Sequence, residues 1–206
     1  MRLVFTGHIA GAGTASGLRI VVGVWADSPM GAFADVMLQT ADDERILLAP
    51  DESIADFVAT TYRFDRVEVG ELAACLGADR LTVTSETFDA RIDIGGPAPV
   101  DRLLRLVPPR LATSPRWLRA IDPVAARMVS GVRTYGTAGS GRTEYYGARR
   151  SRRVTGIDGH YRSVPFGGLA PLQPAVSFGF SSAPASPQIV AVTTTIDVAS
   201  PMTRNP

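Results

Sequence analysis

Short runs of alternating apolar and polar residues constrain the fold of this chain more than any other feature. In Leu81–Thr84 apolar residues alternate with threonine, and in Arg91–Ile94 they alternate with charged residues. A period of two is typical of a β-strand with one buried face, because successive side chains point to opposite faces. The Asp42-Asp43 pair between two such runs indicates a tight antiparallel hairpin. The sequence therefore predicts a chain rich in antiparallel β-structure.

The predicted strands lie on both sides of a helical segment. Those before it are Arg2–Ile9, Leu18–Trp25, Phe33–Gln39, Glu44–Ala49, Arg63–Val69, Arg80–Thr87 and Phe88–Ile94. Those after it are Val132–Thr137, Arg142–Ala148, Arg152–Gly156, Ala175–Phe180 and Ile189–Val198. Connections of hairpin size between these runs favour an antiparallel sheet that is curled or closed around its own interior.

Helical patterns are confined to residues 53–60, where Ser53 is the expected N-cap, and to a larger segment at about 99–130. The larger segment opens with an apolar stripe at i, i+3, i+4 and i+7, formed by Val100, Leu103, Leu104 and Val107. A further helix begins at Ser114-Pro115 and ends at Gly131, with a kink expected at Pro123. Its apolar residues share one face, and its arginines share the other.

Strands before and after a helical block indicate the α+β class rather than alternating βα units. We expect a predominantly antiparallel β-sheet, strongly curved or barrel-like, with a helical insertion at about 99–130. Residues 1–198 are predicted to form one β-rich domain and residues 199–206 a flexible tail.

The chain contains no lysine, so all 21 of its basic residues are arginine. It therefore cannot form a lysine Schiff base, hold pyridoxal phosphate covalently or provide the lysine of a phosphate-binding P-loop. Its only histidines are His8 and His160, which with one cysteine are too few for a dedicated zinc site. The sequence therefore predicts no metal and no cofactor.

Charge and cysteine content limit the partners and the compartment. A formal net charge of +1 gives no long-range field to attract nucleic acid or an anionic membrane. The sequence lacks an apolar run of the ~18–20 residues that cross a bilayer. The single Cys75 excludes an internal disulfide, and its apolar neighbours predict a buried, inert thiol. We therefore expect a cytoplasmic protein that binds neither membrane nor nucleic acid.

Glycines after the first strand invite comparison with dinucleotide-binding loops, which need a helix directly after the strand. Only Ala10–Gly17 separates the first strand from the next apolar run, too few residues for the ~10–12 of a crossover helix. Gly11, Gly13 and Gly17 are therefore interpreted as a flexible hairpin loop.

The candidate catalytic residues are Glu144, Tyr146 and His160. Glu144 and Tyr146 fall on one side of a predicted strand, where both could exchange a proton with a ligand if that side faces a cavity. His160 lies beside Asp158 and Tyr161 in the densest group of acid–base residues in the chain. The alternative interpretation of residues 157–160, which we favour, is a hairpin turn with solvated side chains.

The candidate ligand-binding residues are Trp25, Arg149 and Arg153. Trp25 lies near an apolar turn that could border a pocket, although core packing explains such residues more often. In the run Arg149–Arg153, alternation would place Arg149 and Arg153 on one face of a strand. A solvated edge strand is the favoured interpretation, ahead of a small-anion site and of a nucleic-acid patch with Tyr145 and Tyr146 as stacking partners.

The apolar segment Pro165–Pro174 is expected to press against its own domain or against a second subunit. Three functions agree with these patterns. The first is a binding protein that holds a small, mainly apolar ligand inside a curved β-barrel, with arginine meeting an anionic group such as a carboxylate. The second is a cofactor-independent enzyme that transfers protons through Glu144, Tyr146 or His160. The third is a structural or interaction subunit that forms a homodimer.

Overall fold

One curled β-sheet organises this computed structural model, which describes residues 1–129 and 131–198. The strands up to residue 97 are β1 (Arg2–Thr14), β2 (Arg19–Asp27), β3 (Phe33–Gln39), β4 (Arg45–Ala49), β5 (Arg66–Val69), β6 (Leu72–Leu76), β7 (Arg80–Ser85) and β8 (Phe88–Pro97). Those that follow are β9 (Tyr135–Thr137), β10 (Thr143–Tyr161), β11 (Val164–Pro165), β12 (Leu169–Ala170) and β13 (Gln188–Asp197). The expected tail at 199–206 lies outside the described residues.

Ten strands follow each other across the sheet in the order β5-β4-β3-β2-β1-β13-β10-β8-β7-β6, and three short strands pair at its margins. Neighbouring strands are antiparallel apart from β4 and β5, which pair in parallel because a helix connects them. The α+β class and the predominantly antiparallel sheet are therefore confirmed.

Side chains from distant strands meet in one buried cluster. Val36 and Leu38 come from β3, near one end of the strand order, and Leu81 and Val83 come from β7, near the other end. Their contact requires the sheet to curl until these strands face each other. Across the same interior, the Arg66 guanidinium donates a hydrogen bond of 3.2 Å to the Tyr161 hydroxyl. The strongly curved, barrel-like sheet is therefore confirmed.

Because side chains alternate along each strand, the sheet has an inner face and an outer face that make different contacts. The inner face carries Ile20, Val22, Val36 and Leu38, each with an exposed fraction of 0%, so side chains fill the interior of the curl. The intervening residues point to the outer face, where the helices and the segment 171–185 cover the central strands.

Four α-helices lie in the described residues: α1 (Glu52–Thr61), α2 (Asp101–Leu104), α3 (Pro109–Ala112) and α4 (Pro115–Met128). A short 3-10 helix follows at Gly139–Gly141. The carboxylate of Asp51, rather than the expected Ser53, caps α1 by accepting a 2.9 Å hydrogen bond from the Ile54 amide. The helical insertion is confirmed, but α4 continues through Pro123 without a break. None of the described helices has the length and apolar character needed to cross a bilayer.

Four local predictions are wrong. Cys75 is exposed because it lies on the outward side of β6, a strand that the sequence analysis missed. Gly11 and Gly13 belong to β1, and of the three predicted loop glycines Gly17 alone lies in the short turn of the first hairpin. Residues 157–160 belong to β10 rather than to a turn. The segment Ala175–Phe180 forms no strand, although Val176 and Phe178 within it are buried.

Residues 165–174 were expected to press against their own domain or against a second subunit, and they pack against their own domain. Phe166 has an exposed fraction of 1% and joins the inner core, where its ring lies 5.6 Å from that of Phe88. Leu172, also 1% exposed, packs against the outer face with Val176 and Phe178. Both faces of the sheet are therefore covered by this segment.

Candidate functional site

The main cavity of the described residues lies on the outer face of the sheet and has a volume of about 410 Å³. Strands β1, β2, β3, β10 and β13 form its floor, while α1, α2, α4 and the segment 176–184 form its walls and roof. We expected a ligand inside the curl of the sheet, but that interior is filled with side chains. The cavity instead lies between the opposite face and the helical insertion.

Apolar side chains make up most of the cavity lining. The stripe formed by Val100, Leu103, Leu104 and Val107 and the apolar face of α4 both point into it, as their helical spacing predicts. Leu103, Val124 and Met128 line the cavity yet have exposed fractions of 46%, 47% and 55%. The cavity therefore opens to solvent between α2 and α4.

An aromatic cluster forms one wall of the cavity and includes the predicted binding residue Trp25. The Phe5 ring stacks on Phe57 with 5.3 Å between centroids, and it meets the edge of Trp25 at 5.8 Å. Phe33 completes the cluster at 6.3 Å from Trp25. Such contacts hold the rings in place without filling the space in front of them.

Glu144, one of the predicted catalytic residues, lies at the cavity floor behind two tyrosines. Its side chain has an exposed fraction of 0%. Tyr62 donates a hydrogen bond of 3.0 Å to Glu144 Oε1, and the Tyr146 hydroxyl lies 2.7 Å from that of Tyr62. When Tyr146 donates to Tyr62, the three groups form a chain that runs from the cavity to the buried carboxyl.

Burial sets the ionisation of this chain. It raises the pKa of Glu144 from 4.5 to about 7, against the opposing effect of the hydrogen bonds from Tyr62 and Tyr146 and of the charge of Arg142. It also raises the pKa of Tyr62 and of Tyr146 well above the usual value for tyrosine, and the nearby carboxylate adds to both. Near pH 7, Glu144 can therefore exchange a proton while both tyrosines stay neutral.

Asp35 is a second buried acid of the cavity, with an exposed fraction of 2%. Trp25 Nε1 donates a hydrogen bond of 2.8 Å to its Oδ1 atom. Burial raises the pKa of Asp35 from 3.8 to about 6, although the bond from Trp25 opposes this. Gly23 lies beneath this pair, where an added Cβ would meet Asp35 Oδ1 at 2.4 Å, so the close approach requires glycine.

The cavity contains one arginine among its described lining residues, Arg133, and Asp122 engages it. The Arg133 guanidinium donates to Asp122 Oδ2 at 2.6 Å and 2.9 Å. Burial acts to raise the pKa of Asp122, but hydrogen bonds from Arg133 and from the Thr134 and Tyr135 amides bring it below its ordinary value. Arg133 is therefore a structural cation that ties β9 to α4.

The structure brings three of the predicted site residues together. Trp25 and Tyr146 line the cavity, and Glu144 lies directly behind its floor. His160 is exposed at the opposite end of β10, where it pairs with Asp89 of β8. The described lining of the cavity includes neither Arg149 nor Arg153.

The arginine run differs from simple alternation because a β-bulge falls at Arg149. Arg150 pairs with the buried Asp101 at 3.0 Å, and Arg152 donates to the carbonyl of Gly95 at 2.9 Å. Tyr145, the expected stacking partner for a nucleic acid, is buried with an exposed fraction of 9%. Part of the run therefore has partners within the chain. The favoured interpretation as an edge strand is wrong, because β10 lies between β13 and β8 in the sheet.

Tyr62 and Asp35 were not among the site residues predicted from the sequence. Asp35 carried a usable signal, since it is the one charged residue in Phe33–Gln39 and shares a face with Phe33 and Met37. Tyr62 carried none, because it caps the C-terminus of α1 and lies 82 positions from Glu144. The described residues contain no group of three His, Cys, Asp or Glu side chains placed to hold a metal ion.

The raised pKa of Glu144 predicts how stability depends on pH. The folded protein holds the Glu144 proton more tightly than the unfolded chain does. Burial of Glu144 therefore does not lower the free energy of unfolding below pH 4.5, where the carboxyl is protonated in both states. The loss grows as pH rises to about 7 and stays constant above that. Glu144→Gln should therefore gain about 2–3 kcal/mol of unfolding free energy relative to the wild type between pH 4.5 and pH 8. Urea unfolding at both pH values measures the difference.

The matched control for this experiment is Asp158→Asn, which removes an exposed carboxylate of the same strand. Its unfolding free energy should follow the wild type across the same pH interval. Parallel pH profiles for Glu144→Gln and the wild type would show that Glu144 ionises in the folded protein at an ordinary pKa.

No protein-family model and no curated protein matches this chain, so the comparisons do not assign it to a family. The fold and the cavity define the class to which it belongs, an α+β protein whose curved, mainly antiparallel sheet carries an apolar cavity beneath a helical insertion. Its function must therefore be argued from the cavity.

Proposed function

We propose that this protein binds a small, mainly apolar ligand in the cavity between the outer face of the sheet and the helical insertion. The observation that carries the proposal is the cavity itself, with about 410 Å³ of space that apolar side chains line almost throughout. Sites for small ligands are typically concave and apolar, with a few polar groups that orient the ligand. Here those groups are Asp35, Tyr146 and Trp25.

The energy available to such a ligand comes from removing apolar surface from water. Each buried methylene contributes about 0.8 kcal/mol, so a chain of eight carbons gains roughly 6 kcal/mol before the costs of association are subtracted. The half-exposed side chains of Val124 and Met128 provide an entrance for it. The arginines Arg149 and Arg153 lie outside the lining, so the proposal does not include an anionic group held by them.

A cofactor-independent enzyme is the second candidate, and the hydrogen-bonded chain from Tyr146 through Tyr62 to Glu144 favours it. A carboxyl whose pKa is about 7 is well matched to general acid–base chemistry near neutral pH. In this function Tyr146 would meet the substrate and Glu144 would hold the proton, while His160 lies too far along β10 to take part.

Native mass spectrometry of the purified protein, followed by titration with 1-octanol, tests the proposal. We expect an apolar compound to copurify or, where none does, octanol at about 100 times its Kd to add about 2.7 kcal/mol to the unfolding free energy. This corresponds to a rise in Tm of roughly 5–10 °C for a chain of this size. Absence of both results would contradict the proposal.

The same experiment separates the three functional classes. A binding protein returns the copurified compound unchanged after incubation, whereas an enzyme returns it altered. A dimer without any bound compound would favour the interaction subunit, with exposed apolar residues such as Leu106 at its contact. The cytoplasm remains our prediction for its compartment, on the basis of the single Cys75.

A further inference from the structure

We propose that the cavity selects an amphiphilic organic cation, an amine whose ammonium group lies against Asp35 and the Tyr146 hydroxyl while its hydrocarbon part fills the apolar space. This inference rests on the proposed binding function and specifies its ligand class. From the arginine-rich sequence we expected a ligand with an anionic group, whereas the ligand proposed here carries a cationic group.

The balance of charge around the cavity is the first argument. Asp35 and Glu144 are acids with exposed fractions of 2% and 0%, and neither forms a salt bridge with an arginine in the described structure. Arg133, the arginine of the described lining, is held by Asp122 at 2.6 Å. The unpaired charge available to a ligand is therefore negative.

Arg142 is the other cation near these acids, but its guanidinium forms its hydrogen bonds with residues of α1. Its guanidinium donates to the Phe57 carbonyl at 3.1 Å and also to the Thr61 hydroxyl. It lies over the Phe57 ring with 4.7 Å to the centroid and outside the described lining of the cavity. Arg142 lowers the pKa of Glu144 through its charge, while Asp35, the acid that lines the cavity, forms no salt bridge with it in the described structure.

The aromatic residues of the cavity provide a second argument. The faces of tryptophan, phenylalanine and tyrosine rings carry partial negative charge and attract ammonium groups within about 6 Å. Trp25 and Phe33 line the cavity beside Asp35, and Tyr146 lines it from β10. A cationic group in this cavity would therefore lie among aromatic rings as well as near a carboxylate.

An unused polar group beside Tyr146 in the cavity lining is a third argument. Thr194 has an exposed fraction of 2%, lines the cavity, and pairs across the sheet with Tyr146. Its hydroxyl has no hydrogen-bond partner in the described structure. Buried hydroxyls are normally satisfied, so this one is a candidate acceptor for a ligand N–H group.

A carboxylate ligand would be disfavoured at this end of the cavity. It would place a further negative charge beside Asp35 and Glu144 in a site shielded from water, where unpaired charge is costly. A neutral alcohol would avoid this cost, but it would also lack the attraction between an ammonium group and the two acids. The expected order of affinity is therefore amine, then alcohol, then carboxylate.

Isothermal titration with octylamine, 1-octanol and octanoate tests this order, because the three probes share one hydrocarbon chain. At pH 7.5 we expect octylamine to bind at least 10-fold more tightly than octanol, and octanoate at least 10-fold more weakly. Between pH 6 and pH 8 octylamine affinity should rise roughly 10-fold as Glu144, with a pKa of about 7, ionises in the free protein. Octanol affinity should not rise.

Asp35→Asn and Glu144→Gln each remove one acid, and each should reduce the preference for octylamine over octanol about 10-fold. Asp158→Asn, which removes an exposed charge, should leave the preference unchanged. Should Glu144→Gln fail to fold, as judged by its thermal unfolding curve, Asp35→Asn carries the comparison alone.

The outcomes separate this inference from the proposed function. Binding of octanol with equal or weaker binding of octylamine, or with tighter binding of octanoate, overturns the cationic ligand and leaves the binding function standing. Failure of all three probes to bind the folded protein overturns both.

Discussion

Replacement of Asp122 by alanine is expected to lower the free energy of unfolding by about 3 kcal/mol. Asp122 has an exposed fraction of 4% and accepts hydrogen bonds from Arg133 and from the Thr134 amide at 2.8 Å. Its loss leaves the partly buried Thr134 and Tyr135 amides and the half-exposed Arg133 guanidinium without this acceptor. An unsatisfied donor costs about 1–3 kcal/mol when buried and less when it reaches water. Because these bonds tie α4 to β9, the change should also loosen the roof of the cavity. Urea unfolding at pH 7 measures the effect.

Two further variants identify the cause. Asp122→Asn keeps an oxygen for the Thr134 amide but loses the charge and replaces the oxygen that accepts from Arg133 with an NH2 group, so it should cost roughly half as much. Asp56→Ala, an exposed helical position, should change the unfolding free energy by less than about 0.5 kcal/mol. Equal losses for Asp122→Ala and Asp56→Ala would contradict this account.

Acid should abolish the effect of Asp122→Ala. The folded pKa of Asp122 lies below its ordinary value of 3.8, so its contribution is fully present above pH 3.8 and is lost as pH falls through the folded pKa. The difference between Asp122→Ala and the wild type should therefore shrink as pH is lowered below 4, in the same urea experiment.

Strand alternation was a sufficient guide to the sheet where apolar and polar residues differ clearly. β3 was predicted with its observed bounds, Phe33–Gln39. β6 was missed because Leu72–Leu76 has no polar residue to mark its second face. In Ala175–Phe180 the alternation is real, since Val176 and Phe178 are buried, but the segment packs over the outer face of the sheet with Leu172 and forms no strand.

The turn predicted at residues 157–160 is part of a strand, because its glycine has a role that the local sequence does not show. Asp158-Gly159-His160 has the composition of a turn, yet Gly159 lies within β10 at a φ of +139°. A Cβ there would lie 2.0 Å from the carbonyl oxygen of Asp89 on the paired strand. The glycine thus permits close strand pairing, a requirement that depends on the partner strand and is invisible in the local sequence.

Only part of the candidate site could be predicted from the sequence, because its other contacts also depend on distant parts of the chain. Glu144 and Tyr146 share a face because they are two residues apart, which sequence alone determines. Their contacts with Tyr62 and the nearby Asp35 depend on packing between distant elements. Alternation also defined two faces of the sheet without indicating which one the helical insertion would cover. The interior of the curl, where we expected the ligand, is filled with side chains, and the described cavity lies on the other face.

Ala125→Trp is expected to weaken octanol binding about 70-fold while the protein remains folded. Ala125 lines the cavity from α4, and an indole at this position would occupy the space in front of the sheet. A ligand that loses about 100 Å² of apolar contact loses about 2.5 kcal/mol of binding free energy, which corresponds to this factor. The helix should tolerate the change, because tryptophan costs only a few tenths of a kcal/mol more than alanine there.

Ala120→Trp provides the matched control, since Ala120 is an exposed residue of the same helix and lies outside the described cavity lining. It should bind octanol as the wild type does. Titration calorimetry of both variants, with thermal unfolding to verify that each is folded, distinguishes a ligand in this cavity from one bound elsewhere. If folded Ala125→Trp kept the affinity of the wild type, the ligand could not occupy the space beneath α4, and the acids at the cavity floor could not select it.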